Sequence, residues 1–282
     1  MSALPIDRGR LAAGLKNLWV LPNTAIDIIS TLQSDSYSTA LLERQIRRDQ
    51  ALAIRILKVA NSPFYGLSGQ VDSIEEAGLV LGQRSLLSIT STLALAKCLV
   101  VQPMPGFDPA GFWEHSVGAA LCAEALARAT GRNPGAAYLG GLLHDIGRLA
   151  LVAAGREQYG QALAAQVATG ESLMHFEREY CGLDHVEAGL VLVERWHLGP
   201  AIRAGISGHH RADTQATDPE AALYHVADVL AHALDFRDAG NGIVPPPSST
   251  AWNALGIGWD EMRSIFAAVE AQKEAALAPL RM

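Results

Sequence analysis

Leu142-Leu143-His144-Asp145-Ile146-Gly147 is the most informative stretch of this 282-residue chain. A His-Asp pair alone is common and identifies nothing. Here, however, further histidines and an aspartate stand before and after the pair, at intervals of about a helix-turn-helix. The order His, His-Asp, His, His-His, Asp can supply seven ligands to one or two divalent metal ions inside a helical bundle. These residues are His115, His144, Asp145, His185, His209, His210 and Asp228.

Imidazole and carboxylate ligands suit Fe, Mn or Zn, and Mg is also compatible with the carboxylates. Asp145 is predicted to bridge two ions through its two oxygens, with His144 as a terminal ligand. His115 and Asp228 would reach the same centre from other helices, and the three remaining histidines would complete the second ion. Such a centre lowers the pKa of a bound water and yields a hydroxide that can attack phosphorus.

Arg148 lies one turn after His144. It could balance the charge of a phosphate, or it could be an exposed helix cation. If the protein is an enzyme, Asp145 and Arg148 are the candidate catalytic residues.

Each histidine also has an ordinary structural interpretation. Adjacent residues such as His209 and His210 cannot share one helix face, so one of them could simply be solvated. His175 and His197 fit no spacing and are predicted to lie at the surface. His225 and His232 fall on the helix face of Asp228, where packing is a better explanation than support of a metal. The ordered set as a whole favours a metal site.

The composition restricts the class of protein. Hydrophobic residues make up 49% of the chain and aromatic residues 6%, with a net charge of −7. This mixture favours helices, and the lack of a basic run argues against direct binding of nucleic acid. Cys98, Cys122 and Cys181 show no metal-binding or disulfide spacing. With no stretch typical of a signal peptide or a membrane span, we expect a cytoplasmic protein without membrane contact.

Helix-capping residues and helix-breaking prolines and glycines along the chain predict an all-α fold. It has two helical lobes, residues 1–102 and 107–282, joined by a linker rich in proline. Asp108 before Pro109 and Asn133 before Pro134 are helix starts. The second of these helices is expected to carry His144-Asp145. Residues 61–66, which hold Phe64 and Tyr65 between a proline and a glycine, are expected to form a turn docked on the second lobe.

Several of these stretches together resemble the HDOD domain proteins, relatives of the HD-GYP cyclic-di-GMP phosphodiesterases in the HD phosphohydrolase superfamily. The resemblance covers about residues 18–215. It is carried by residues 21–22, 56–66, 73–74, 81–82, 113–116, 141–147, 185–189, 196–198 and 209–210. It implies an HD-type helical bundle in the C-terminal lobe and a role in bacterial signal transduction. It also implies metal ligation by the seven residues named above.

The chain departs from the HD-GYP pattern at three places. The Gly-Tyr-Pro signature is absent, because His209-His210 runs into Arg211-Ala212-Asp213-Thr214. Gly111 stands where the resemblance implies an acidic ligand, and Arg148 stands where it implies a lysine. These departures argue against hydrolysis of cyclic-di-GMP.

Two functions therefore remain open. The first is a regulatory domain that keeps an HD-type metal site and acts mainly by binding a signalling protein, or a nucleotide or phosphate ligand. The alternative is a metal-dependent phosphohydrolase that acts on a nucleotide or another phosphoester. The ligand set favours the enzyme, whereas the missing signature and the helical N-terminal lobe favour the regulator, which is the function we expect.

Overall fold

The structure, a computed structural model, describes residues 21–34, 38–66, 70–210, 218–237 and 248–281, and the single residues 9, 13, 14 and 19. Within these residues the chain is helical, and its one β-contact is an isolated bridge between Met104 and Phe107. The prediction of an all-α fold is confirmed. The stretch after His210 that begins with Arg211 lies outside the described residues.

The part of the chain before the linker, here called the N-terminal lobe, consists of short helices. They are α1 (Asn23–Gln33), α2 (Thr39–Arg47), α3 (Gln50–Ala60), α4 (Ile74–Leu81) and α5 (Gln83–Cys98). Their starts follow local chemistry. Asp49 accepts hydrogen bonds from the first amides of α3, and Ser73 accepts one from the Glu76 amide. The Glu76 carboxylate accepts from the Asp72 amide and so satisfies a further donor at the start of α4.

The C-terminal lobe begins after the linker and carries the His-Asp pair. Its helices are α6 (Pro109–Ala129), α7 (Pro134–Leu143), α8 (Ile146–Ala154), α9 (Arg156–Thr169), α10 (Leu173–Phe176), α11 (His185–Trp196), α12 (Pro200–Gly208), α13 (Pro219–Ala233), α14 (Ser249–Leu255) and α15 (Trp259–Leu277). As predicted, Asp108 and Asn133 cap α6 and α7 through their side chains, each followed by a proline in the first turn.

The helix that starts after Asn133 does not carry the His-Asp pair, contrary to our expectation. Helix α7 ends at Leu143 and α8 begins at Ile146, so His144 and Asp145 form the corner between two helices. The Asp145 backbone has left the helical region, with φ −101° and ψ 10°. A corner lets two adjacent side chains point into the same space, which a continuous helix would prevent.

The close packing of α8 against α11 explains why residue 147 is a glycine. A Cβ atom at this position would lie 1.7 Å from the carbonyl oxygen of His185, because the first turn of α8 rests directly on the start of α11. No side chain fits into that gap. The close crossing brings His185 toward Asp145.

The two lobes share one hydrophobic core. Buried side chains of both lobes, among them Leu86 and Leu139, belong to one continuous cluster. A buried hydrogen bond of 2.9 Å also joins the hydroxyls of Thr92 on α5 and Tyr138 on α7. The N-terminal lobe therefore supports α7, the helix that leads into the His-Asp corner.

Residues 61–66 form an ordered turn, as expected. The Asn61 side chain bonds the backbone N–H and C=O of Val71, each at 2.8 Å, and this fixes the turn. Tyr65 packs partly buried against the core, and Phe64 is 51% exposed. The docking of this turn on the second lobe stays a prediction.

Among the residues that the structure describes, no single helix has the length and apolar character to cross a membrane. Helices α4 and α5 meet that criterion only as a pair, and the pair is bent by 114°.

Candidate metal centre

The seven predicted ligands come together in one place. Their side chains project from α6, from the corner between α7 and α8, from the start of α11, from the end of α12 and from α13. Six of them are buried, and His210 alone among the seven is exposed. The prediction that these residues converge is therefore met by the fold, while their ligation of a metal stays a prediction.

One group of ligand atoms surrounds Asp145. Its Oδ1 atom lies 3.4 Å from His185 Nε2 and 3.4 Å from His209 Nε2. His210 Nε2 lies 3.0 Å from His185 Nε2 and completes the group. All four residues can place one ligand atom within 4.8 Å of the others. We call these residues the Asp145 group.

A second group surrounds Asp228. Its Oδ1 atom lies 3.0 Å from His115 Nε2, 3.7 Å from His144 Nε2 and 3.6 Å from His232 Nε2. His144 stands between the two groups, with its Nε2 atom 3.9 Å from Asp145 Oδ2. Sequence analysis predicted packing for His232, yet its Nε2 atom faces the same carboxylate oxygen as two predicted ligands.

Backbone carbonyls fix the tautomers of two central histidines. His144 Nδ1 donates to the Gly141 carbonyl at 2.7 Å, and His209 Nδ1 donates to the Gly205 carbonyl at 3.0 Å. A carbonyl can only accept, so Nδ1 carries the proton and Nε2 of a neutral ring is a lone pair. In both residues that lone pair is directed toward carboxylate oxygens. This arrangement of hydrogen bonds is typical of histidine ligands of metals.

Glu177 orients His185, and sequence analysis did not identify it. His185 Nδ1 donates to Glu177 Oε2 at 2.6 Å, and the His185 backbone amide donates to the same oxygen at 2.9 Å. Glu177 is fully buried and begins a π-helical turn, Glu177–Cys181. Such turns often occur at functional sites. No ligand-like spacing marks Glu177 in the sequence, because only the packing of the π turn brings it to His185.

His225 supports the centre from behind, without facing either aspartate. Its Nδ1 donates to the carbonyl of His209 at 2.8 Å, and its Nε2 accepts from the Ser248 amide at 3.2 Å. The packing role expected for His225 fits these contacts. His175 and His197 are exposed, as predicted.

Arg148 is neither an exposed helix cation nor open to a phosphate. It is buried, its NH1 lies 3.2 Å from Asp145 Oδ2, and its Nε donates to the Tyr159 hydroxyl at 3.0 Å. The guanidinium also stacks over Phe107. Arg148 thus neutralises the Asp145 oxygen that we predicted to bridge a second ion, so only Oδ1 faces the histidines of the Asp145 group.

The charges of the centre are strongly shifted. Burial raises the pKa of the Asp145 and Asp228 carboxyls, but the surrounding imidazoles outweigh it and hold both well below the ordinary value. Burial lowers the pKa of His144 to about 4, so its ring is neutral. For His185, burial also lowers the pKa, but the carboxylates of Glu177 and Asp145 raise it to about 9 overall. In the absence of a metal this shift favours the protonated form of His185.

The donor set fits a divalent metal ion. His209 Nε2 is buried and makes no hydrogen bond to a described residue. Two ligand atoms that share one ion at about 2.1 Å are about 3.0 to 3.5 Å apart in octahedral or tetrahedral geometry. The separations of 3.0 and 3.4 Å in the Asp145 group match that range. Nitrogen-rich ligands favour Fe, Mn or Zn over Mg.

Comparison with known proteins agrees with this fold. The HDOD domain profile matches residues 18–212. An HDOD domain protein with unknown function from Geobacter sulfurreducens is 24% identical, with a TM-score of 0.73 and 96% of each chain covered. A candidate signal transduction protein from Marinobacter aquaeolei VT8 is 21% identical, with a TM-score of 0.77, and the alignment covers 98% of this chain and 66% of that protein. At these identities the likeness shows the fold alone.

A curated relative is longer than this chain. An uncharacterized protein of Treponema pallidum (strain Nichols) is 24% identical over 192 residues. Those residues make up 67% of this chain but 37% of the relative, so the chain matches little more than a third of that protein.

Proposed function

The chain belongs to the HDOD domain family, and from this premise we propose that it is a bacterial signal-transduction module that acts by binding a partner protein or ligand. In this proposal the HD-type metal centre is a structural or sensing element. The observation that carries the proposal is the buried pair of Arg148 and Asp145.

This pair disfavours phosphoester hydrolysis at the centre. Arg148 neutralises Asp145 Oδ2, and its guanidinium is itself held by the Tyr159 hydroxyl and the Phe107 ring. Hydrolysis of a phosphoester requires the substrate phosphorus in line with a metal-bound nucleophile. The ligand side chains other than His210 are buried, and a guanidinium that is already paired offers little charge to a phosphate.

The Asp145 group would hold the ion, through Asp145 Oδ1 and the Nε2 atoms of His185, His209 and His210. A bound divalent ion would act as a Lewis acid and would lower the pKa of a coordinated water. These ligands come from three helices: they project from the corner before α8, the start of α11 and the end of α12. An ion bound by all of them would therefore link these helices. Binding would release the proton on His185 and couple metal occupancy to the packing of these helices.

We propose that a protein partner binds the N-terminal lobe. Ile26 on α1, Leu41 on α2 and Leu79 on α4 are 46%, 39% and 86% exposed. Helix α2 packs against both α1 and α4, so these apolar side chains belong to neighbouring helices. An exposed apolar patch formed by side chains of adjacent helices would suit contact with another protein.

A phosphate-bearing ligand would bind between the lobes. A cavity of about 450 Å³ there is lined by Arg84, Arg128 and Arg132, at the start of α7. Arg128 pairs with Glu124, and Arg132 pairs with Glu220. We expect Arg84→Gln to weaken the binding of inorganic pyrophosphate in calorimetry at least fivefold, with the exposed Arg263→Gln as control. Equal affinities for the two variants would exclude this cavity.

The experiment that tests the function is an assay of the metal-loaded full chain. Protein reloaded with Mn or Fe should leave cyclic-di-GMP and a generic phosphodiester substrate unhydrolysed, with turnover below about 0.1 s⁻¹. Arg148→Lys and Arg148→Gln should not create activity. Turnover above that rate, if it is abolished in His144→Ala, would replace this proposal by the alternative of a metal-dependent phosphohydrolase. The ordered ligand set is what favours that alternative.

A further inference from the structure

We propose that His232 is a metal ligand, and that His115, Asp228 and His232 form a divalent-cation site of their own beside the Asp145 group. This inference deepens the proposed metal centre, and it adds a residue that neither the His-Asp order nor its spacing predicts. His115 lies on α6, while Asp228 and His232 lie one turn apart on α13.

The geometry of these three residues fits one ion. Asp228 Oδ1 lies 3.0 Å from His115 Nε2 and 3.6 Å from His232 Nε2, close to the range of about 3.0 to 3.5 Å expected for ligands of one ion. All three ligand atoms lie within 4.8 Å of one another, and the two imidazole rings are 4.5 Å apart. Two histidines and one carboxylate form a known set for Fe(II), and the same donors accept Mn or Zn.

The charge around Asp228 supports a cation there. Asp145 has a permanent positive partner in Arg148. Among the described residues, the side chains that face Asp228 Oδ1 at 3.0 to 3.7 Å are the imidazoles of His115, His144 and His232, which are not permanent cations. Burying a carboxylate away from a compensating charge is costly, and a divalent ion between the imidazoles and Asp228 would remove that cost.

Helix packing keeps His232 in position. Phe236, just after α13, contacts Gly118 of α6 so closely that a Cβ on Gly118 would lie 2.4 Å from its ring. The Arg237 guanidinium bonds Glu114 of α6 at 3.1 Å. These contacts hold the end of α13 beside α6, so His232 and His115 face each other. His232 is also 10% exposed at its side chain, which leaves a route for an ion.

The test is the metal content of the full chain, purified without chelator and reloaded with Mn or Zn. We expect two equivalents per chain in the wild type. His232→Gln should lose about one equivalent, Asp145→Asn should lose the other, and the exposed His175→Gln should lose none. Unfolding in EDTA should show that His232→Gln is as stable as the wild type without metal.

Three other outcomes of the metal analysis would contradict the proposal. An unchanged metal content in His232→Gln would remove His232 from the ligands. Loss of all metal in a folded His232→Gln would mean one shared ion and no separate site. Loss of metal in Asp145→Asn alone, from a wild type with one equivalent, would leave the Asp145 group intact and overturn only this inference. Titration with Zn in calorimetry would show the same loss as a change in the number of sites.

Discussion

The two aspartates of the centre have different surroundings. Asp145 lies at a corner between helices, with a guanidinium on Oδ2 and histidines on Oδ1. Asp228 lies in the middle of a helix and faces imidazoles. Both carboxylates are buried. The charge of Asp145 is neutralised by the Arg148 side chain, whereas neutralisation of Asp228 depends on protonated imidazoles or a metal ion. The two carboxylates therefore differ in charge compensation: one oxygen of Asp145 has a permanent cation beside it, whereas the oxygen of Asp228 has imidazoles.

The comparison is tested most strongly by removing each carboxylate charge. Asp145→Asn leaves the buried Arg148 guanidinium without its partner, and we expect a loss of about 3 to 5 kcal/mol in the free energy of unfolding. Asp228→Asn leaves no permanently charged side chain without its partner and should cost about 1 to 3 kcal/mol. Urea unfolding in EDTA measures both values. Equal losses would show that Arg148 does not distinguish the two sites.

Removal of metal should produce the next largest effect. An ion present at 100 times its dissociation constant stabilises the native state by about 2.7 kcal/mol. We therefore expect EDTA to lower the midpoint of thermal unfolding of the wild type, and excess Mn or Zn to restore it. Chelation should have a smaller effect on Asp145→Asn, which lacks one site. A midpoint unaffected by EDTA in protein with measured metal would contradict a stabilising role.

The orientation of His185 by Glu177 gives a smaller and more selective prediction. Glu177→Gln keeps the shape of the side chain but removes the charge that Nδ1 of His185 donates to. Loss of such a supporting carboxylate typically costs 10- to 100-fold in metal affinity. Competition with a chelator should show this loss at one of the two sites only. An equal loss at both would mean that the two groups act as one.

The smallest effect is expected away from both aspartates. His175→Gln changes an exposed residue of α10 and should alter the free energy of unfolding by less than about 0.5 kcal/mol, with unchanged metal content. It is the matched histidine control for His232→Gln. A loss of metal in His175→Gln would show that histidine substitutions act through general destabilisation.

Much of the fold follows from local sequence. Asp108 and Asn133 accept hydrogen bonds from the first amides of their own helices, and a glycine with positive φ follows α4. Such interactions join residues within four positions of each other, so they can be predicted without knowledge of the packing. The order of the ligands likewise predicts that His115 and Asp228 approach the His-Asp pair, since each falls on a separate helix.

The all-helical fold, several helix starts and the approach of the seven residues follow from sequence patterns. Tertiary packing sets which atoms face one another. It broke the helix at His144, turned Arg148 inward onto Asp145, and brought Glu177 and His232 to the centre. These outcomes depend on the angle and depth at which helices pack, set by close contacts such as that of Gly147 with His185. Helical periodicity gives the face of a side chain but not its partner on another helix, and that partner decides how a buried charge is compensated.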